Sequence, residues 1–149
     1  MKRTKKAEKN ILLTTLGTTW EVVPELMNRF IDRKIVLEMC PSSNFQIVEF
    51  HDPFLDRSGD IYPLKNYLEA GVKVTVNTDE PGISRTDLSF EYLKAARMTE
   101  KGLSQWDVLQ LIRNSFRAAF TPNKVKGDWL IRAENRIMEL VSRQKYKIL

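Results

Sequence analysis

Asp79 and Glu80 are adjacent carboxylates at the end of the stretch VTVNTDEPG, residues Val74 to Gly82. Alternating β-type residues run into the two acids, and Pro81-Gly82 then turns the chain. Three chemistries fit such a pair. It can be a solvated turn, because Asp is common there and Pro-Gly follows naturally. It can bind a metal, because carboxylates ligate zinc directly. It can also transfer a proton or orient a substrate. Two other reactive side chains stand alone in the sequence: one histidine, His51, and one cysteine, Cys40. His51 falls in a polar stretch and is expected to be an ordinary loop residue. Upstream, Gly17, Thr18 and Thr19 offer a small, hydroxyl-rich turn.

The elements that must carry these residues follow an α/β pattern. Ile11 to Thr15 reads as a buried strand, and Leu16 to Thr19 as the turn after it. Trp20 to Phe30 continues as helix, with Pro24 interrupting it. Strand, small-residue turn and helix start form the opening of a Rossmann-like unit. Such a turn presents backbone N–H groups to phosphate, which makes Gly17, Thr18 and Thr19 candidate ligand-binding residues. Ile35 to Met39 reads as a second strand, ending in a turn-rich cluster from Cys40 to Asn44. Phe50 to Asp60 reads as loop. Pro63 suits the first turn of a helix over Leu64 to Ala70, with Gly71 at its end. Val72 to Asn77 follows at once as a strand, a succession that belongs to parallel α/β folds. The two strands are expected to be parallel and adjacent, with Cys40 and Asp79 at the same end.

Downstream, Asp87 is placed to cap a helix through Met98 that closes at Gly102. Ser104 and Asp107 have capping-box spacing. Leu109, Ile112, Phe116 and Phe120 then share one helical face, as do Leu130, Ala133, Ile137 and Leu140. Both stripes read as core.

Composition narrows the classes. The chain has 149 residues and 42% hydrophobic residues, which suits a globular domain with a core. No apolar run approaches the ~18–20 residues of a membrane span, so no membrane is expected. The basic start MKRTKKAEKN lacks the pattern of a signal peptide. A lone cysteine excludes an internal disulfide framework and fits the cytoplasm. The net charge is +5, of which residues 1–34 carry +4, from eight Lys/Arg and four Asp/Glu. The excess reads as a solvated terminus, or as a weak contact with nucleic acid or a phosphorylated ligand. No specific nucleic acid is expected.

Residues of roughly 27 to 149 resemble the C-terminal part of the adenosine deaminase family, which includes the adenosine and AMP deaminases. KIVLEMCPSSN is similar to that family's seventh barrel strand and the turn after it. PLKNYLEAGVKVTVNTDEPGISRTDLSFEY is similar to the eighth strand and its helix, and GLSQWDVLQLIRNSFRAAF to the next helix. The resemblance implies a partial (β/α) barrel, holding the last two strands and the C-terminal helices. It implies zinc as cofactor, with Asp79 as a metal ligand. The second acid of the family, usually Asp, contacts the purine; that position is Glu80, the candidate catalytic residue. Glu carries its carboxylate a methylene further out, a displacement that matters in a preorganised site. The implied reaction is hydrolytic deamination of an adenine nucleoside or nucleotide, in which zinc activates the attacking water.

The family's other donors are histidines from the first and fifth strands, with a further histidine and a glutamate acting in proton transfer. This chain has one histidine, in a loop where the family has no ligand. A complete barrel takes ~200–250 residues.

NILLTTLGTTWEVVPE resembles instead the start of a CRISPR-associated Rossmann fold (CARF) domain. It is similar in particular to CARF–adenosine deaminase fusions of type III CRISPR systems, which act in antiviral defence. That resemblance implies cyclic oligoadenylate at Gly17, Thr18 and Thr19, and ATP as the deaminated substrate. The expected organisation is a CARF-like remnant over residues 1–26 and a deaminase-like part over 27–149. The chain then reads as the beginning and end of a longer protein joined near Leu26-Met27, inactive alone and prone to form homo-oligomers. The alternative is a non-enzymatic fragment that binds cyclic oligoadenylate or another nucleotide, or acts through protein interaction.

Overall fold

The computed structural model describes residues 24–47, 50–55 and 59–145. The strand expected at Ile11–Thr15 and the turn with Gly17, Thr18 and Thr19 lie outside the described residues. The elements run α1 (Pro24–Asp32), β1 (Val36–Met39), α2 (Pro41–Ile47), α3 (Leu64–Glu69), β2 (Lys73–Val76), α4 (Pro81–Ser84), α5 (Leu88–Met98), α6 (Gln105–Ala118) and α7 (Asn123–Lys145).

Strands β1 and β2 pair in parallel, with Val36 opposite Lys73 and Met39 opposite Val76. Together they form the sheet of the described residues, in the order β1-β2. The expected parallel pairing is therefore present. Parallel strands need a crossover, and here the segment with α2 and α3 supplies it. Leu37, Met39, Val74 and Val76 are buried in one cluster with Phe30, Tyr62, Leu64, Leu68, Met98 and Leu111.

Local chemistry sets the strand starts. Helix α3 ends in a Schellman motif: Val72 N–H donates to the Tyr67 carbonyl at 2.9 Å, and Gly71 N–H to Leu68 at 3.0 Å. Gly71 takes φ +83°, as the motif requires. Helix α1 ends the same way. Ile35 N–H reaches the Phe30 carbonyl, and Lys34 N–H reaches Ile31. The left-handed position there is Lys34, with φ +54°. Each motif turns the chain from a helix directly into a strand.

Two sequence expectations need correction, while the helix expected over Trp20 to Phe30 is described only from Pro24 onward, as α1, its first residues lying outside the described residues. The cluster at Cys40–Asn44 is not a turn alone but the entry to α2. Pro41 suits a first helical position, and Asn44 Oδ1 accepts from Cys40 N–H at 3.1 Å, satisfying a donor at the helix start. The helical stripes are not the deep core either. Leu109, Ile112 and Phe116 are half-buried, and Phe120 is 80% exposed. The deeply buried residues of α6 are Leu111 and Asn114. Helix α6 packs on both β2 and α7, and so needs two contact faces. Its sheet-facing side includes Asn114, whose Nδ2 donates to the Val74 carbonyl at 2.9 Å. A polar residue breaks the apolar periodicity there, so the pattern pointed to the other side. Helix α7 packs on α6, which leaves Leu140 exposed.

The caps expected at Asp87 and Ser104 are present. Asp87 Oδ1 accepts from Phe90 N–H at 2.8 Å. Ser104 and Asp107 form a complete capping box. No helix among the described residues is long and apolar enough to cross a membrane.

Candidate functional site

The site lies where β1 and β2 end. Asn77 N–H donates to the Met39 carbonyl at 2.9 Å, which continues the register by one residue and sets Cys40 beside Asn77. Asp79 follows two residues later. Cys40 and Asp79 thus emerge at the same end of the sheet, as the sequence implied. Asp79 stands at φ +57°, in the left-handed region. Asp tolerates that conformation better than most residues, and such geometry concentrates at functional sites. Glu80 follows as the residue before α4, with its carbonyl accepting from Ile83 and Ser84. Both carboxylates are exposed. Arg85, at φ +46°, closes the single turn of α4. The two left-handed residues therefore bracket a tight loop that carries both acids.

Buried polar groups pin this loop from below. Cys40 is buried against it. Burial pushes the Cys40 thiol up to about 12; the carboxylates of Asp79, Glu38 and Glu91 add to the shift, and a hydrogen bond from the Asp79 backbone opposes it. With no metal bound, burial therefore holds Cys40 as the neutral thiol at ordinary pH. Glu91 of α5 is fully buried. Its Oε2 accepts from Ser42 N–H at 2.8 Å, and its Oε1 from Thr86 Oγ1 at 2.6 Å. One carboxylate thus joins the start of α2, after β1, to the end of the acid loop, after β2. Asn44 Oδ1 also accepts from the Tyr62 hydroxyl at 2.9 Å. Desolvation pushes that buried hydroxyl well above its ordinary pKa, with Cys40 and Glu91 adding to it.

Glu91 was missed by the sequence reading, yet a signal existed. Glu91, Lys94, Ala95 and Met98 are the buried positions of α5, at the i, i+3, i+4, i+7 spacing of one face. A glutamate on that face must find partners inside. Asp52 is a second buried acid. It pairs with Arg97 at 2.6 Å and accepts from Phe54 N–H.

His51 is exposed, and its N–H donates to the Asp60 carbonyl at 2.8 Å. It lines a cavity of about 410 Å³ with Phe54, Arg97 and Met98, whose walls include neither Asp79 nor Glu80. It is placed as a loop residue. Gly17, Thr18 and Thr19 lie outside the described residues, so the structure sets no geometry for them.

Catalytic zinc is ordinarily held by three protein ligands with one open position. Among the described residues no group of three His, Cys, Asp or Glu is arranged to hold a metal. Asp79 offers one exposed carboxylate. This donor set does not fit a catalytic zinc by itself.

Comparison with known proteins places this geometry. The family model described as adenosine deaminase matches residues 15–134. The adenosine deaminase of Shewanella denitrificans is 38% identical over 97 residues, covering 65% of this chain and 27% of the relative. The aminodeoxyfutalosine deaminase of Streptomyces coelicolor is 36% identical over 112 residues, covering 74% and 27%. The adenosine deaminase of Haemophilus ducreyi is 34% identical, covering 78% and 31%. The chain therefore spans about three tenths of the length of these relatives.

The solved structure of the Arabidopsis N6-mAMP deaminase is similar at a TM-score of 0.58 and 25% identity, over 75% of this chain and 31% of that one. An amidohydrolase from Burkholderia ambifaria with bound Zn matches at 0.61 and 21% identity, over 80% and 32%, a likeness of fold. The architecture is an α/β part of such a barrel, with β1 and β2 as neighbouring parallel strands. A family match over most of the length, and a strand-end acid loop set on parallel β/α units, identify this chain as a member of the adenosine deaminase family.

Proposed function

We propose that this chain carries the strand-end acid pair of a hydrolytic deaminase acting on an adenine nucleoside or nucleotide, and that it does not complete the reaction alone. The observation that carries the reading is the loop of Asp79 and Glu80, held left-handed at the end of β2 within a chain of the adenosine deaminase family. Asp79 is the family-pattern metal ligand, and Glu80 takes the purine-contacting position. Zinc is the cofactor by family, and the donor inventory of this chain argues against its retention.

The finer reading concerns the context. Residues 1–26 are proposed as a CARF-like remnant and 27–149 as the deaminase-like part, in a cytoplasmic CRISPR defence protein. Gly17, Thr18 and Thr19 would then contact cyclic oligoadenylate. Support for this comes from the Rossmann-like pattern of strand, small-residue turn and helix in the sequence.

The test uses purified, metal-analysed protein incubated with adenosine, AMP and ATP, with chromatography for inosine, IMP and ITP. The expected result is no product above background and well under one equivalent of zinc. Zinc near one equivalent, with turnover abolished in Asp79→Ala, would overturn the proposed inactivity and assign Asp79 a catalytic metal. Turnover that survives Asp79→Ala would overturn the site assignment.

A further inference from the structure

A second cavity opens at the other end of β2, away from the acid pair. Its volume is about 320 Å³, and Lys73, Arg117, Asn123, Lys126, Gly127 and Leu130 line it. Lys73 is the first residue of β2, and Arg117 lies in the last turn of α6. The remaining four occupy positions i, i+3, i+4 and i+7 of α7, so they form one face of its first two turns. Three elements thus bring three cations to one concave surface, and no carboxylate is in its wall.

Several cations elsewhere on the molecule are compensated by carboxylates. Lys65, Arg97, Arg113, Arg136 and Arg143 each pair with a carboxylate. Among the described residues Lys73, Arg117 and Lys126 pair with none. Lys126 Nζ donates to the Arg117 carbonyl at 3.2 Å, which fixes its ammonium near the end of α6. Nothing lies within 4 Å of where a Cβ of Gly127 would project, so the wall there is bare backbone facing open space. The first bond closing α7 runs from Lys126 N–H to the Pro122 carbonyl at 3.1 Å. The peptide groups before it sit at the positive end of a 23-residue helix.

Unpaired like charges that line one cavity repel one another, and a multiply charged anion relieves that repulsion. Arg117 offers a planar fork suited to two oxygens of one phosphoryl group, and the two lysines act as point charges. Leu130 supplies an apolar wall for an organic portion. We infer that this cavity binds a small phosphorylated anion, of the pyrophosphate class, between β2, α6 and α7. It lies at the opposite strand end from Asp79 and Glu80, so it acts as a stabilising or effector site and is independent of the proposed deaminase reading.

The experiment is calorimetric titration of the full 149-residue chain with sodium pyrophosphate at fixed ionic strength. Saturable one-to-one binding is expected, with excess sulfate competing weakly. Arg117→Gln and Lys126→Gln should each weaken it about tenfold, the loss of one charge-assisted contact. Arg117→Lys, which keeps the charge but not the fork, should lose less than Arg117→Gln. Arg132→Gln, on α7 outside the cavity, should bind as the parent does. Circular dichroism checks that each variant melts like the parent. Non-saturating heat, an equal loss in Arg132→Gln, or tighter binding of a ten-nucleotide single strand than of pyrophosphate would overturn the inference.

Discussion

Asp79 holds a left-handed backbone at φ +57° with an exposed carboxylate, while the thiol beneath it, Cys40, is buried and neutral. The contrast yields two predictions at the scale of single residues. The first concerns pH. The Cys40 thiol rises from an ordinary value of 9.0 to about 12. Desolvation also raises Tyr67, from 10.0 to about 12. A group raised in the folded state contributes stability that is complete below its unfolded pKa and is lost as pH climbs to the folded one. Stability should therefore fall between pH 9 and 12, with the unfolded chain releasing these protons first. Urea midpoints at pH 8, 10 and 11 would check this, and a disulfide-exchange reagent should label Cys40 far more slowly in the native protein than in urea. A flat profile from pH 8 to 11 would contradict it. The second concerns Lys34, which occupies the left-handed position of a Schellman motif at φ +54°. Lys34→Gly should stabilise by about 0.5–1 kcal/mol, because relief of Cβ strain exceeds the entropy added to the unfolded chain. A lower denaturation midpoint in that variant would mean that the lysine side chain contributes more than its backbone costs.

At the scale of elements, Glu91 ties α5 to α2 and to the end of the acid loop. Glu91→Ala leaves Ser42 N–H without its partner and removes the Thr86 contact. A buried orphan donor costs about 1–3 kcal/mol, so a loss of that order is expected in urea unfolding. Glu91→Gln keeps an acceptor and should lose less. Equal stability of Glu91→Ala and the parent would show that water reaches Ser42 N–H. Helix α6 is held twice. Asn114 Nδ2 reaches the Val74 carbonyl, and Lys65 of α3 pairs with Asp107 of its capping box at 2.6 Å. Partial desolvation acts to raise the Asp107 carboxyl, but hydrogen bonds from Lys65 and Ser104 and the Lys65 charge outweigh it and hold the group below its ordinary value. That contribution is present above the unfolded pKa and is lost as pH falls through the folded one.

For the whole molecule, the two strands leave their outer edges unpaired among the described residues. Unpaired strand edges invite pairing with other chains. Ile83, Trp106, Phe120 and Met138 are each at least 66% exposed, which adds apolar surface. Self-association at micromolar concentration is the expected outcome, measured by light scattering. A monomer with one cooperative melting transition would count against it.

The sequence by itself determined the local events. Pro63 and Gly71 act through their own backbones, and Asp87, Ser104 and Asp107 through side chains that reach N–H groups three residues away, so helix ends were legible. The VTVNTDEPG pattern located the candidate site, because a strand that ends on acids places them at the sheet's edge. Tertiary structure decided what depends on neighbours far along the chain. Glu91 meets Ser42 N–H 49 residues away, and Asn114 meets a carbonyl 40 residues away. Apolar spacing alone could not show that α6 turns Leu111 and Asn114 to the sheet, because a hydrogen-bonded amide substitutes for an apolar contact there. Nor could it show that Lys73, Arg117 and Lys126 share a cavity. Lys73 lies 44 residues from Arg117, and charge is counted by composition but positioned only by the fold.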